Sequence, residues 1–124
     1  SQFMENWAWH PEGIALISRH VDTGETLPER MLQSMLAAKN FQSGMQTLRQ
    51  LEFALFDLLL HAKTPAPDYP QLLALLDSVR ADVSIMPTAS YNRFANGFSH
   101  IFAGGYAAGY YSYKWAEVLA SDVS

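Results

Sequence analysis

The sequence predicts an all-α fold, a bundle of amphipathic helices. Apolar residues recur at spacings of three and four almost throughout the chain, whereas strict alternation with β-branched residues is nearly absent. Prolines and glycines cluster between the periodic segments, where they separate helices. Because 49% of the 124 residues are hydrophobic, the chain can bury one core, and its length favours a single domain or part of one.

The N-terminal third contains two predicted helical segments. The first runs from Gln2 to about Arg19, and Pro11 is expected to kink or divide it. The second opens at Pro28 and Glu29, a proline-first start that suits a helix N-terminus. One face of the second helix is apolar and consists of Met31, Leu32, Met35 and Leu36.

The strongest helical pattern runs from about Phe41 to Ala62. Its apolar residues follow the three-and-four spacing closely, so we expect this helix to be buried on more than one side. These residues are Phe41, Met45, Leu48, Leu51, Leu55, Leu58 and Leu59. A proline-rich loop from Thr64 to Pro70 separates it from a further helix, Gln71 to Val83.

The last third of the chain is rich in glycine and aromatic residues. After a loop from Met86 to Asn92, we expect a short helix over 94–105 that runs into a glycine-rich bend, and then a helix through residue 119. The stretch 94–113 has no formal charge and contains Gly105-x-x-x-Gly109, a spacing found in packed membrane helices. Glycines and polar residues interrupt it, whereas a spanning helix needs about 20 predominantly apolar residues. We therefore predict no membrane span.

Charge and cysteine content exclude several classes of function. With a net charge of −4 the chain has no basic stripe for a phosphate backbone or an anionic membrane, so we expect neither nucleic acid nor membrane as a partner. Zero cysteines exclude disulfides, thiolate catalysis and cysteine metal sites. They also fit a reducing compartment, and we expect a cytoplasmic location. Residues 1–9 do not have the pattern of a signal peptide.

The histidines do not form a metal motif. His10, His20, His61 and His100 are far apart in sequence, and no two of them have the i, i+4 spacing with which one helix face holds zinc. There is also no nucleophile elbow and no phosphate-binding loop. A self-contained metal site is therefore not expected.

The segment from His100 to Tyr113 is the best candidate for chemistry. If its later part is helical, Tyr106, Tyr110 and Tyr113 lie at i, i+4 and i+7 and project to one side. A histidine beside a row of phenols forms a set of neutral hydrogen-bond donors, which can stabilise negative charge on an attacked carbonyl. The alternative is structural, because an aromatic stripe at this spacing also suits a core.

Two carboxylates are weaker candidates. Glu5 stands in the first turn of a predicted helix, where the helix dipole alone favours a negative charge. Asp57 lies between Phe56 and Leu58, and we interpret it as a buried structural carboxylate.

Four blocks of sequence resemble the thimet oligopeptidase family of zinc metallopeptidases. They are Ser1–Trp7, Met35–Asn40, Arg49–Asp57, and His100–Tyr113 with Trp115. The blocks occur in the family's order at compatible spacing, although residues 62–92 match only loosely. The resemblance implies a mostly helical enzyme whose deep channel admits short peptides. We expect residues 1–124 to be a segment of its catalytic domain, C-terminal to the zinc-binding helix.

The resemblance also implies roles for individual residues. In this family, zinc is held by two histidines of an H-E-x-x-H helix and a downstream glutamate, all of which would precede Ser1. We therefore expect zinc in the full-length parent protein, none bound by this chain alone, and no activity from this chain alone. The implied catalytic residues are His100, Tyr113 and Tyr106; the implied substrate-binding residues are Tyr110, Gly104 and Gly105; and Glu5 would orient a zinc ligand.

Two functional hypotheses follow. In the first, the parent hydrolyses internal bonds of short peptides, and this segment contributes contacts to substrate and oxyanion. In the second, the chain is a non-catalytic helical interaction or ligand-binding module derived from such a peptidase. An open reading frame encoding H-E-x-x-H ahead of Ser1 would distinguish the first from the second. In either case, faces that meet missing helices would be apolar, so we expect non-physiological self-association of the isolated chain.

Overall fold

A computed structural model describes residues 1–123, and all of the regular secondary structure within them is helical. The α-helices are α1 (Gln2–Glu5), α2 (Pro11–Ile17), α3 (Glu29–Ala38), α4 (Ser43–His61), α5 (Tyr69–Val83), α6 (Phe94–Gly97), α7 (Ser99–Phe102) and α8 (Ser112–Asp122). A 3₁₀ helix, Asn6–Trp9, lies between α1 and α2. The all-α prediction is confirmed.

The chain forms two compact units, of which the first comprises residues 1–42 and the chain from Trp115 on. Pro11 divides the first segment as predicted, because it occupies the first turn of α2 after an extended His10. Gly13 is required there, since a Cβ atom on it would lie 1.9 Å from the backbone oxygen of Trp7. The buried apolar residues of the first unit are Ile14, Leu32 and Ala120.

The second unit comprises residues 43–114 and has its own core. Helices α4 and α5 pack against each other, and the α6–α7 region adds apolar side chains to the same core. The buried members are Phe53, Ala54, Phe56, Leu60, Leu76, Ala95, Phe98, Ile101 and Tyr110. This core supports the candidate site.

The residues that α4 buries extend around about half of its circumference and include Glu52 and Ala54, but most of the predicted apolar stripe is exposed. Its buried face carries Phe53, Phe56, Asp57 and Leu60. The leucines of the predicted stripe are 37–45% exposed: Leu51, Leu55, Leu58 and Leu59. Phenylalanine rings bury more apolar area than leucines, and the second unit supplies packing partners for the phenylalanine side.

Polar contacts fix the position of α5. Asp68 and Gln71 form a capping box at its N-terminus, in which the Gln71 backbone N–H donates to Asp68 Oδ1 at 2.9 Å. Arg80 Nε donates to Glu52 Oε1 of α4 at 3.0 Å, and Glu52 is buried. The other side of the Arg80 guanidinium donates to Asn92 Oδ1 at 3.2 Å. The Arg80 side chain therefore ties α5 to α4 through the ion pair and to the loop before α6 through a hydrogen bond.

A membrane-crossing helix is absent from residues 1–123, since none there is both long enough and apolar enough to span a bilayer.

Candidate functional site

The candidate site rests on a platform of aromatic rings in the second unit. Phe53 of α4 stacks on Phe94 with ring centroids 4.6 Å apart, and Phe98 lies 4.7 Å from Phe94. The ring of Tyr110 meets this platform edge-on, 5.7 Å from Phe53 and 5.1 Å from Phe98. Tyr110 is buried, so its ring is both a core residue and the floor of the site.

His100, Tyr106, Tyr110 and Tyr113 form one cluster on this platform. Tyr113 lies between two phenols, with its ring centroid 5.0 Å from Tyr106 and 5.0 Å from Tyr110. The His100 ring lies 6.0–6.5 Å from all three tyrosine rings. His100 is exposed, and Tyr106 and Tyr113 are half-buried. The cluster therefore has a dry base and a solvent-accessible rim.

The backbone that assembles the cluster differs from the predicted helix. Residues 107–111 form turns, and α8 begins only at Ser112. Ala108 has a φ of 52°, in the left-handed region that interrupts a right-handed helix. The tyrosines thus meet through a bent turn, and the helical spacing i, i+4, i+7 is not the cause.

Gly104 and Gly105 shape the bend that follows α7. A Cβ atom on Gly104 would lie 2.8 Å from His100 Cα, and Gly105 has a φ of 80°. The Tyr106 backbone N–H donates to the His100 backbone oxygen at 3.1 Å. The two glycines therefore allow the backbone after α7 to fold back, so that Tyr106 contacts His100.

The environment raises the pKa of Tyr110 and of Tyr113. A side-chain hydrogen bond with Tyr106 is the main cause that raises the pKa of Tyr113 from 10.0 to about 12, with burial and the neighbouring tyrosines adding to it. Burial also raises the pKa of Tyr110, and the nearby Arg49 charge partly opposes this shift. Both phenols therefore remain neutral hydrogen-bond donors around neutral pH.

Asp57 is the residue whose importance for the site the sequence did not indicate. It is fully buried, as predicted, but its carboxylate contacts the tyrosine turn. Oδ1 accepts the Ala108 backbone N–H at 2.9 Å, and Oδ2 accepts the Tyr110 backbone N–H at 2.9 Å. The available signal was a carboxylate within an otherwise apolar helix segment, because such a group needs buried donors.

Glu5 lies outside this cluster, in the first unit, where it ends α1 and is exposed. The structure does not connect it to a metal-ligand set. Among residues 1–123 there is no group of three or more His, Cys, Asp or Glu side chains arranged to hold a metal ion.

The chain as a whole is similar to known proteins of one family. The profile described as "Peptidase family M3" matches residues 1–124. Oligopeptidase A of Escherichia coli (strain K12) is 56% identical over 122 residues, which cover 98% of this chain and 18% of that protein. Oligopeptidase A of Salmonella typhimurium is 55% identical over 122 residues, with the same coverage of 98% and 18%.

A plant relative is almost as similar. Organellar oligopeptidase A, chloroplastic/mitochondrial, of Arabidopsis thaliana is 51% identical over 123 residues, which cover 98% of this chain and 15% of that protein. The chain thus spans 15–18% of the length of these three relatives.

Proposed function

The chain belongs to peptidase family M3, and from this membership we propose that its parent protein is a zinc-dependent oligopeptidase that hydrolyses internal bonds of short peptides. The family resemblance seen in the sequence is confirmed by the M3 match and by the similarity to oligopeptidase A. One observation carries the proposal: an exposed imidazole and three phenols converge on an apolar platform. We place residues 1–124 within the catalytic domain, C-terminal to the zinc-binding helix.

Residues 1–123 do not present the ligands of a zinc site. No suitable group of ligands exists among residues 1–123, so zinc would be bound by other parts of the parent. This chain's contribution is to bind the peptide and to donate hydrogen bonds. We also assign Glu5 the role of orienting a zinc ligand, on the strength of the family resemblance. Short peptides and the rest of the catalytic domain are the proposed partners, and the cysteine-free sequence supports a cytoplasmic location.

The phenols are suited to stabilise negative charge. Tyr106 and Tyr113 have two hydroxyl protons, and their mutual hydrogen bond uses one of them. A phenol hydroxyl can donate as well as accept a hydrogen bond, so the pair offers hydroxyl groups that can donate to a peptide oxygen when a substrate binds. When a peptide carbonyl is attacked, its oxygen gains negative charge, and a donor fixed beside it stabilises that charge more in the transition state than in the substrate.

His100 adds a donor at the exposed rim, and the apolar platform strengthens each of these hydrogen bonds. The ring of His100 lies within 6.5 Å of the Tyr113 ring, close enough for both to reach one substrate oxygen. Phe53 and Phe98 exclude water from beneath the phenols, which lowers the local dielectric constant and strengthens the interaction with a developing oxyanion. We therefore assign His100, Tyr106 and Tyr113 to oxyanion stabilisation.

Tyr110, Gly104 and Gly105 are assigned to substrate binding. The buried ring of Tyr110 fixes the floor on which the peptide lies. The two glycines form the bend beside His100, and movement there would let the tyrosines close over a bound peptide.

The experiment is the substitution Tyr113→Phe in the full-length parent, assayed with an internally quenched short peptide. Loss of one oxyanion donor lowers kcat by about 10²–10³-fold, and KM should change little because the interaction forms mainly in the transition state. Tyr91→Phe is the matched control, since it removes the same hydroxyl from an exposed loop residue. A Tyr113→Phe enzyme with the kcat of the control would eliminate the assigned role.

A further inference from the structure

The turn that carries the tyrosines contains one residue in an unfavourable backbone conformation. Ala108 has a side chain and yet adopts a φ of 52°, a conformation that residues other than glycine disfavour. Within the turn, the Gly109 N–H donates to the Tyr106 oxygen at 2.8 Å. An interaction from outside the turn is needed to hold Ala108 in place.

The carboxylate of Asp57 provides this interaction. Each of its oxygens accepts one backbone N–H of the turn, from Ala108 and from Tyr110, both at 2.9 Å. These donors are 51 and 53 residues away in sequence, so the contact is tertiary. Hydrogen bonds to a carboxylate are stronger than neutral ones, and the pair of bonds fixes the turn in two places.

His61 fixes the carboxylate in turn. It lies one helical turn after Asp57 on α4, and its Nδ1 is 2.8 Å from Asp57 Oδ1. The His61 side chain is 28% exposed, whereas the Asp57 side chain is fully buried. The same Nδ1 is 2.9 Å from the Asp57 backbone oxygen, so an Nδ1–H is shared between this oxygen and the carboxylate and restricts the orientation of the Asp57 side chain.

The position of the turn decides the position of the phenols. Tyr110 is held by its backbone N–H on Asp57 and by its ring on Phe98. Tyr113 packs on Tyr110 at 5.0 Å, and Tyr106 packs on Tyr113 at 5.0 Å. The position of Tyr113 therefore depends on Tyr110, and the position of Tyr106 depends on Tyr113. Tyr110 itself is held by Asp57.

We propose that Asp57, oriented by His61, is a positioning residue that sets the geometry of the tyrosine cluster for oxyanion stabilisation. The inference rests on the proposed function for its catalytic consequence, and on the contacts above for its structural part. Asp57 does not touch the substrate, and it acts through the backbone of Ala108 and Tyr110.

The test uses Asp57→Asn in the full-length parent. Asparagine has one oxygen in place of two, so one N–H of the turn loses its acceptor and faces an amide NH₂. Since a misplacement of 1 Å can lower a rate about 10²-fold, we expect kcat to fall by about 10–100-fold with little change in KM. The tyrosine titration followed by ultraviolet absorbance should also change, with the highest-pH step moving toward the ordinary tyrosine range.

Two further variants separate positioning from simple stability. Glu52→Gln removes the other buried carboxylate of α4, which pairs with Arg80, so it should lower stability and leave both kcat and the tyrosine titration unchanged. His61→Leu should lower kcat in the same direction as Asp57→Asn, and His61→Gln should recover part of the loss because it keeps a donor. If Asp57→Asn does not fold, the two His61 variants decide the question by the same measurements.

The outcomes distinguish this inference from the proposed function. If Asp57 acts through the phenols, Asp57→Asn costs much less kcat in a Tyr113→Phe background than in the wild type. If Tyr113→Phe leaves kcat unchanged, the proposed function fails, and the tyrosine titration alone then decides whether Asp57 positions the cluster. Unchanged titration in Asp57→Asn and His61→Leu, or equal kcat losses in Asp57→Asn and Glu52→Gln, overturns the inference.

Discussion

The substitution Gly104→Ala tests whether the bend beside His100 is built as the structure describes. An alanine Cβ at this position would lie 2.8 Å from His100 Cα and 2.9 Å from the His100 backbone oxygen. Both are backbone atoms, so no side-chain rotation relieves the contact. Either the backbone strains around the new methyl group or the bend opens.

The two responses have similar magnitudes. Overpacking of this kind costs about 1–3 kcal/mol. Opening the bend loses the bonds from Gly104 N–H to the Ser99 oxygen and from Tyr106 N–H to the His100 oxygen, each with a net value of about 0.5–1.5 kcal/mol. The chain adopts the less costly response, so we expect a destabilisation of about 2 kcal/mol. Because the His100 ring moves with its backbone, kcat should fall by about 10–100-fold.

The assay combines urea unfolding of the parent, followed by tryptophan fluorescence, with peptide hydrolysis. Gly97→Ala is the matched control, because a Cβ atom there would meet nothing within 4 Å, and its stability should change by less than about 0.5 kcal/mol. Gly105→Ala separates strain from steric overlap, since Gly105 has a φ of 80° but open space around it, and it should cost about 1–2 kcal/mol. A Gly104→Ala protein as stable and active as Gly97→Ala would refute the described geometry.

Three further predictions test other parts of the molecule. Tyr113 should titrate near pH 12 in the folded protein, and this step should be absent from Tyr113→Phe. Because folding raises the pKa of Tyr113 from 10.0, the stability that Tyr113 contributes is complete below pH 10 and declines as the pH rises toward about 12. Arg80→Met leaves the buried Glu52 carboxylate unpaired and should cost about 2–4 kcal/mol in urea unfolding, whereas the double variant with Glu52→Leu should recover most of it. The isolated chain should self-associate in light scattering through the exposed leucines of α4, and a clean monomer at high concentration would contradict this.

Local patterns predicted the elements of this fold well. Pro11 and Pro28 mark helix starts because proline lacks an N–H that a first turn does not use, and α2 and α3 begin accordingly at Pro11 and Glu29. For α4 the predicted apolar stripe was not the face that is buried, because its sequence has two apolar faces. Periodicity identifies such faces, but it does not say which of them finds a partner.

The residues that form the candidate site could be predicted from the sequence, whereas the backbone conformation that brings them together could not. The imidazole and the phenols meet, as expected from their proximity in sequence. The expected cause was a helical stripe, and the observed cause is a turn with Ala108 in the left-handed region. Alanine favours helices, so local propensity pointed the wrong way, and the contact that outweighs it comes from Asp57, 51 residues earlier.

The two buried carboxylates of helix α4 have different roles, since Glu52 stabilises the fold and Asp57 contacts the candidate site. Glu52 binds Arg80 and thereby fastens α5 to α4. Asp57, five positions later, binds no charged group of α5 and accepts the backbone N–H groups of Ala108 and Tyr110. Because the two carboxylates share no partner in these bonds, their effects should be largely additive. Substitutions at Glu52 should therefore alter stability without altering the chemistry, and substitutions at Asp57 should alter the chemistry even when the stability lost is the same.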